Sequence, residues 1–199
     1  MRETILTVAL VALLTPVPAA AEKLSLAELS RYLNSLTTAQ AAFTQTSADG
    51  SQAKGMLYIK RPGRARFEYA PPERSLVMVG GGQVAIFDSK SNQPPEQYPL
   101  RRTPLNVILA PKVDLAQANM VVGHEEVGDT TRVMAQDPEN PEYGMIELVF
   151  TANPTVLRQW ILTDDLGSQT RVELADLQTG VDLSGFLFDI TAERARQNR

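Results

Sequence analysis

Polar and apolar positions change period along this chain, and each change marks a different kind of element. Near residue 25 the period is helical. Leu26, Leu29, Leu33 and Leu36 recur three or four residues apart and make a single apolar stripe. Ser25 and Glu28 stand where the N-cap and third residue of a capping box belong, so the spacing predicts a helix from Leu26 to Leu36. Such a stripe needs an apolar surface to lie on, and a sheet face is the expected one.

After Thr37 the period shortens to that of strands. The first series is Ala42–Thr46, Gly55–Arg61, Ala65–Tyr69, Leu76–Val79 and Val84–Asp88, punctuated by Asp49-Gly50, Pro62-Gly63, Pro71-Pro72 and Gly80-Gly81-Gly82. The second is Ala118–Val127, Thr130–Gln136, Met145–Phe150, Val156–Thr163, Ser168–Ala175 and Gly185–Ile190. About eleven closely spaced strands favour an antiparallel barrel or sandwich over an alternating α/β fold. Between the series lie a Pro-rich loop, Ser89 to Arg102, and a short helix signalled by Thr103-Pro104 and the apolar turn Leu105 to Leu109. The tail Ala192 to Arg199 is polar and expected to fray.

The first 21 residues follow neither period. Arg2 precedes an apolar run, Ile5 to Leu14, which Pro16 and Pro18 interrupt before Ala19-Ala20-Ala21. This is the pattern of an export signal cleaved after Ala21, and the run is too short for a membrane anchor. Residues 22–199 are then one exported, periplasmic domain. The 199 residues carry a net charge of −4, which disfavours general nucleic-acid binding. They contain no cysteine, so thiolate chemistry, cysteine metal sites and lipidation of this chain itself are excluded.

Candidate chemistry is sparse. The single histidine, His124, sits in a strand pattern beside Glu125 and Glu126, whose side chains alternate between faces; a solvent-facing or pocket-wall histidine is expected, and no metal site. Gly80-Gly81-Gly82 lacks the Lys-Ser/Thr and helix of a phosphate loop. Asp164-Asp165 reads as a turn before Gly167, and no serine occupies a nucleophile elbow. No catalytic residue and no cofactor is expected.

Two features remain open. Lys54, Lys60, Arg61, Arg64, Arg66 and Arg74 cluster in an acidic chain, either as a solvated sheet face or as a docking surface for an acidic partner or lipid headgroup. Alternation sets Arg61 apart, in register with Leu57 and Ile59. Methionines and aromatics spread over the strands fit either an ordinary core or an adaptable cavity.

Gly55-Met-Leu-Tyr-Ile-Lys-Arg-Pro62 followed by Arg66-Phe-Glu-Tyr69 resembles the periplasmic outer-membrane-lipoprotein carrier (LolA) family. Phe43-Thr-Gln45, Gly82 with Ile86-Phe87-Asp88, Thr103-Pro104-Leu105 to Leu109, and Asp182 to Phe188 are similar to further family segments in the same order. Gly81 departs from the usual turn Asp, and Arg64-Ala65 from a more hydrophobic pair. The resemblance implies a mainly β fold: an unclosed antiparallel β-barrel of about eleven strands covered by lid helices. It implies a carrier and no enzyme, taking acylated lipoproteins from an inner-membrane lipoprotein-releasing transporter to an outer-membrane lipoprotein receptor; a monomer is the default expectation. Phe43, Leu57, Ile59, Phe67, Tyr69, Phe87, Phe150 and Trp160 would then face the acyl cavity. Leu105, Val107, Ile108 and Leu109 would form a lid helix, and Arg61 its latch. A lipid- or peptide-sensing module of the same fold is the alternative, and a lipid hydrolase a more distant one.

Overall fold

A computed structural model describes residues 23–197 except 92 and 118. The expected export signal, residues 1–21, lies outside the described residues. Helix α1 (Leu26–Ser35) is followed by strands β1 (Thr38–Thr46), β2 (Gln52–Lys60), β3 (Ala65–Tyr69), β4 (Leu76–Gly80), β5 (Gln83–Phe87) and β6 (Glu96–Pro99). Helix α2 (Leu105–Leu109) leads to β7 (Val121–Val127), β8 (Thr130–Gln136), β9 (Met145–Ala152), β10 (Thr155–Thr163) and β11 (Gln169–Thr179), and helix α3 (Ile190–Gln197) ends the fold.

All eleven strands join one antiparallel sheet in the order β6-β5-β4-β3-β2-β1-β11-β10-β9-β8-β7. Strands consecutive in sequence pair with each other except β6 and β7, and β1 pairs with β11 to join the two halves, with a register shift between Gln40 and Ala42. β6 and β7 are free edges, so the sheet is an unclosed barrel. Its inner face carries one apolar cluster that draws side chains from strands as far apart as Val84 on β5 and Val133 on β8, together with α1 and α2.

α1 begins as its residues dictate. The Ser25 hydroxyl accepts from the Glu28 amide at 3.3 Å, and Glu28 accepts from the Ser25 amide at 2.8 Å. Leu29, Leu33 and Leu36 are buried against the inner face. The Leu157 amide of β10 donates to the Tyr32 hydroxyl at 3.1 Å, and the Tyr32 ring meets Phe150 edge-on at 5.8 Å. Asn34 exchanges two hydrogen bonds with the Val113 backbone, which ties the segment after α2 to α1.

Three expectations change. The eleventh strand is Glu96–Pro99, not Gly185–Ile190. β6 pairs Tyr98 with Val84, and Pro99 is tolerated there because an edge strand needs no further donor. Gly185–Phe188 is instead a 3-10 turn whose alternating phenylalanines imitate a strand; Phe188 is buried and Phe186 is 78% exposed. As far as Gln197 the tail is helical rather than frayed: Asp189 accepts from the Ala192 amide at 2.9 Å and Glu193 is buried.

Residues 183–197 form a strap over the outer face of β2–β5. Lys60 donates to the Leu183 carbonyl at 2.5 Å. Arg66 donates to the Leu187 carbonyl at 3.1 Å and pairs with Glu193 at 3.2 Å. Gly80 lets the strap approach, since any Cβ there would meet the Phe188 carbonyl. Half of the basic cluster is thus neither a solvated face nor a docking surface. Lys60 and Arg66 anchor the strap, and Arg61 points the other way.

Candidate functional site

The inner face is not completely filled. Toward the end where β3 finishes and β10 turns into β11 lies a cavity of about 700 Å³. Phe67, Val77, Val84, Ile86, Trp160 and Leu162 supply its apolar wall, and Thr103, Pro104 and Leu105 bring the start of α2 over it. Gln45, Asp164, Asp165, Ser168 and Thr170 make a polar mouth. Asp164 does turn the chain, accepting from the Leu166 and Ser168 amides at 3.0 and 2.8 Å. A second groove of about 700 Å³, lined mostly by polar residue types, shares Gln45, Tyr69, Val77 and Ile86 with the cavity, so the two run together.

The expected site residues divide into three groups. Phe67, Tyr69, Trp160 and Leu105 line the cavity. Phe43, Leu57, Ile59 and Phe150 lie deeper on the same face, packed with Val107, Ile108 and Leu109 of α2. Phe43, Phe67 and Trp160 form a chain of edge-to-face contacts at 5.7 and 6.3 Å. Gly55 makes room for it, since a Cβ there would clash with the Phe43 ring and the Glu68 carbonyl. Phe87 belongs to neither group. It packs on the outer face with Leu76, Met78, Ala85 and Ile190 of α3, so its place in the cavity is corrected. Its neighbours Val84 and Ile86 have the inward parity, and with Val77, Tyr98, Leu162 and Val172 they are among the cavity residues sequence reasoning missed. Alternation through Val84 and Ile86 was the signal for two of them; ring size favoured Phe87.

Arg61 sits where the two helices end. Its guanidinium donates to the Leu33 carbonyl of α1, to the Ala110 carbonyl just after α2 at 2.7 Å, and to Asn34 Oδ1 at 3.4 Å. These carbonyls have no partner inside a helix, and a five-donor guanidinium meets two of them at once. Burial lowers the pKa of Arg61 from its ordinary value, yet an arginine stays charged.

Several other polar groups have partners within the fold. The Tyr69 hydroxyl donates to Gln45 at 2.6 Å, and burial pushes its pKa up to about 12. His124 meets the Leu24 carbonyl at 2.8 Å through Nε2. Among the described residues no three His, Cys, Asp or Glu side chains gather as a metal site. The arrangement can exclude water and hold an apolar body.

Comparison with known proteins agrees. The profile of the outer membrane lipoprotein carrier protein LolA matches residues 34–191. The outer-membrane lipoprotein carrier protein of Methylococcus capsulatus is 27% identical over 181 residues, covering 86% of this chain and 85% of that one. That of Chromohalobacter salexigens is 26% identical over 185 residues, covering 88% and 87%. A putative outer membrane lipoprotein-sorting protein domain from Vibrio parahaemolyticus has a similar fold, with a TM-score of 0.50 at 8% identity, covering 85% of this chain and 97% of that one. With the matched profile spanning most of the domain, the chain belongs to the outer membrane lipoprotein carrier protein LolA family.

Proposed function

We propose that this chain is a periplasmic carrier that holds the acyl chains of lipoproteins. It receives them from an inner-membrane releasing transporter and gives them up to an outer-membrane receptor. The observation that carries this reading is an apolar cavity left partly empty beneath helices whose ends are pinned by one arginine. Its wall is aromatic and aliphatic, with the polar residues gathered at the mouth, which suits holding an acyl chain.

The energetics suit a carrier. Burial of each acyl methylene contributes about 0.8 kcal/mol, so a fully preformed cavity would hold long chains too tightly to release them. Opening the lid costs the Arg61 hydrogen bonds, each worth about 1.5–3 kcal/mol when charge-assisted. That cost is subtracted from the affinity and returned when the lid closes behind departing cargo. Direction then comes from the donor and the receptor.

The test is to add the purified mature domain, residues 22–199, to inner-membrane vesicles with an energised releasing transporter. Lipoproteins should appear in the soluble fraction as complexes with the protein. Lipoproteins that stay in the pellet would refute the reading. Sequencing the protein from fractionated cells tests export, with Glu22 expected at its N-terminus; Met1 retained in the cytoplasm would refute it.

A further inference from the structure

Trp160 is the only tryptophan in the chain. It lies on β10 between Leu148 of β9 and Val172 of β11, forms part of the cavity wall, and is 1% exposed. Its Nε1–H has no acceptor among the described residues. Two other buried nitrogens share that state, Nε of Arg61 and Nε of Arg132. Those guanidiniums are engaged through their other nitrogens, whereas an indole has a single donor and this one is wholly unpartnered. Buried Trp N–H groups ordinarily find a partner, and leaving one unmet costs stability. A phenylalanine would fill the same wall without that cost. Phe67, whose ring meets the indole edge-on at 6.3 Å, offers no acceptor.

The missing acceptor has a defined chemistry. The wall around Trp160 is apolar, and the charged residues that line the cavity are Arg102, Asp164 and Asp165. One N–H in such a wall suits one neutral carbonyl oxygen. A plain alkyl chain brings none, but an acyl chain carries a carbonyl at its head. We propose that Trp160 is the polar anchor of the cavity, donating from Nε1 to the ester carbonyl of an acyl chain as α2 moves aside. This rests on the carrier reading and adds a specificity to it: the protein distinguishes acyl from alkyl chains. A hydrogen bond formed by a donor that is unpaired in the empty protein favours the acyl ligand by roughly five- to thirty-fold.

Because the chain has one tryptophan, a ¹H–¹⁵N spectrum of the labelled protein has one indole cross-peak to follow. The probes are a synthetic peptide bearing two ester-linked chains, the same peptide with ether-linked chains of equal length, and a diacyl phospholipid. The diester peptide should move the indole proton downfield and bind roughly five- to thirty-fold more tightly than the diether peptide, and Trp160→Phe should bind both equally. Equal binding of the two peptides by the wild type with an unmoved indole overturns the anchor, as does an ester preference that survives in Trp160→Phe. A downfield shift with phospholipid and not with the diester peptide overturns its assignment to lipoprotein cargo. If neither peptide binds, the carrier reading fails and takes the anchor with it; if both bind alike, only the anchor fails. The wild-type comparison of ester with ether stands even if Trp160→Phe folds poorly.

Discussion

Arg61 and Arg66 are five residues apart at the hairpin joining β2 to β3, and each fastens a cover to the same sheet. Arg61 reaches the inner side and holds two helix ends through neutral carbonyls, above a wall with a cavity in it. Arg66 reaches the outer side and holds the strap through a buried carboxylate, above the packed patch of Leu76, Met78, Ala85 and Phe87. Arg66 also bonds to Glu68 at 2.6 Å, and Glu193 to Arg196 at 2.8 Å, so its contact is one link in a charged network. A cover tied by a few hydrogen bonds to uncharged groups can be exchanged for a ligand. One tied by a buried ion pair over filled core is held for good, because opening it would strand two charges. The partner atoms, rather than the arginine, separate a latch from a rivet.

The largest effect should come from breaking the inner face itself. Phe67→Glu places a carboxylate among Phe43, Trp160 and Val77. Lipoprotein binding should be lost while circular dichroism still shows a folded sheet. A folded Phe67→Glu protein that binds normally would move the cavity elsewhere.

Removing the rivet should follow. Arg66→Leu leaves Glu193 buried with a weaker set of partners and should cost about 3–5 kcal/mol in a urea titration. Loss of less than about 1 kcal/mol would put the strap among ordinary surface pairs. Phe87→Ala sharpens the distinction between faces. It should cost about 3 kcal/mol of stability by opening a hole under α3, yet leave the affinity for acyl ligands unchanged. A large fall in affinity with little loss of stability would return Phe87 to the cavity.

Arg61→Leu should leave global stability less affected than Arg66→Leu. Its effect belongs to the lid: opening becomes easier by about 1.5–3 kcal/mol for each hydrogen bond lost. Loaded with lipoprotein and presented to the receptor, the variant should bind cargo and release it slowly. Delivery as fast and complete as that of the wild type would refute the latch.

The smallest effect is a pH dependence confined to the strap. Burial pushes the Glu193 carboxyl up, but the Arg196 hydrogen bonds and the Arg66 charge outweigh it and hold the group below its ordinary value. Its contribution is therefore full above the unfolded carboxylate value of about 4.3 and is lost as pH falls through the lower folded value. Glu193→Gln should lower stability at neutral pH and flatten its acid dependence. An unchanged acid slope would show that other carboxylates govern it.

Much of the architecture was legible locally. The capping box at Ser25 and Glu28, the leucine stripe of α1, the short helix after Thr103-Pro104 and ten of the eleven strands rest on periodicity and turn residues, which act over a few positions. The register of Leu57, Ile59 and Arg61 likewise placed Arg61 on the inner side. What sequence alone could not decide was the side of the sheet on which β4 and β5 show their larger residues. Leu76 to Val79 and Val84 to Phe87 are apolar at every position, because one face meets the cavity and the other meets the strap. With both faces covered, alternation carries no parity, and Phe87 is as plausible inward as Ile86. The strap itself was hidden for a related reason. Phe186 and Phe188 repeat at strand spacing, and only contact with Arg66 and Gly80, more than a hundred residues earlier, makes that segment a turn and a helix. Local sequence determines which elements can form. Which of their faces is inside depends on what else the chain lays over them, and that is decided by contacts between residues far apart.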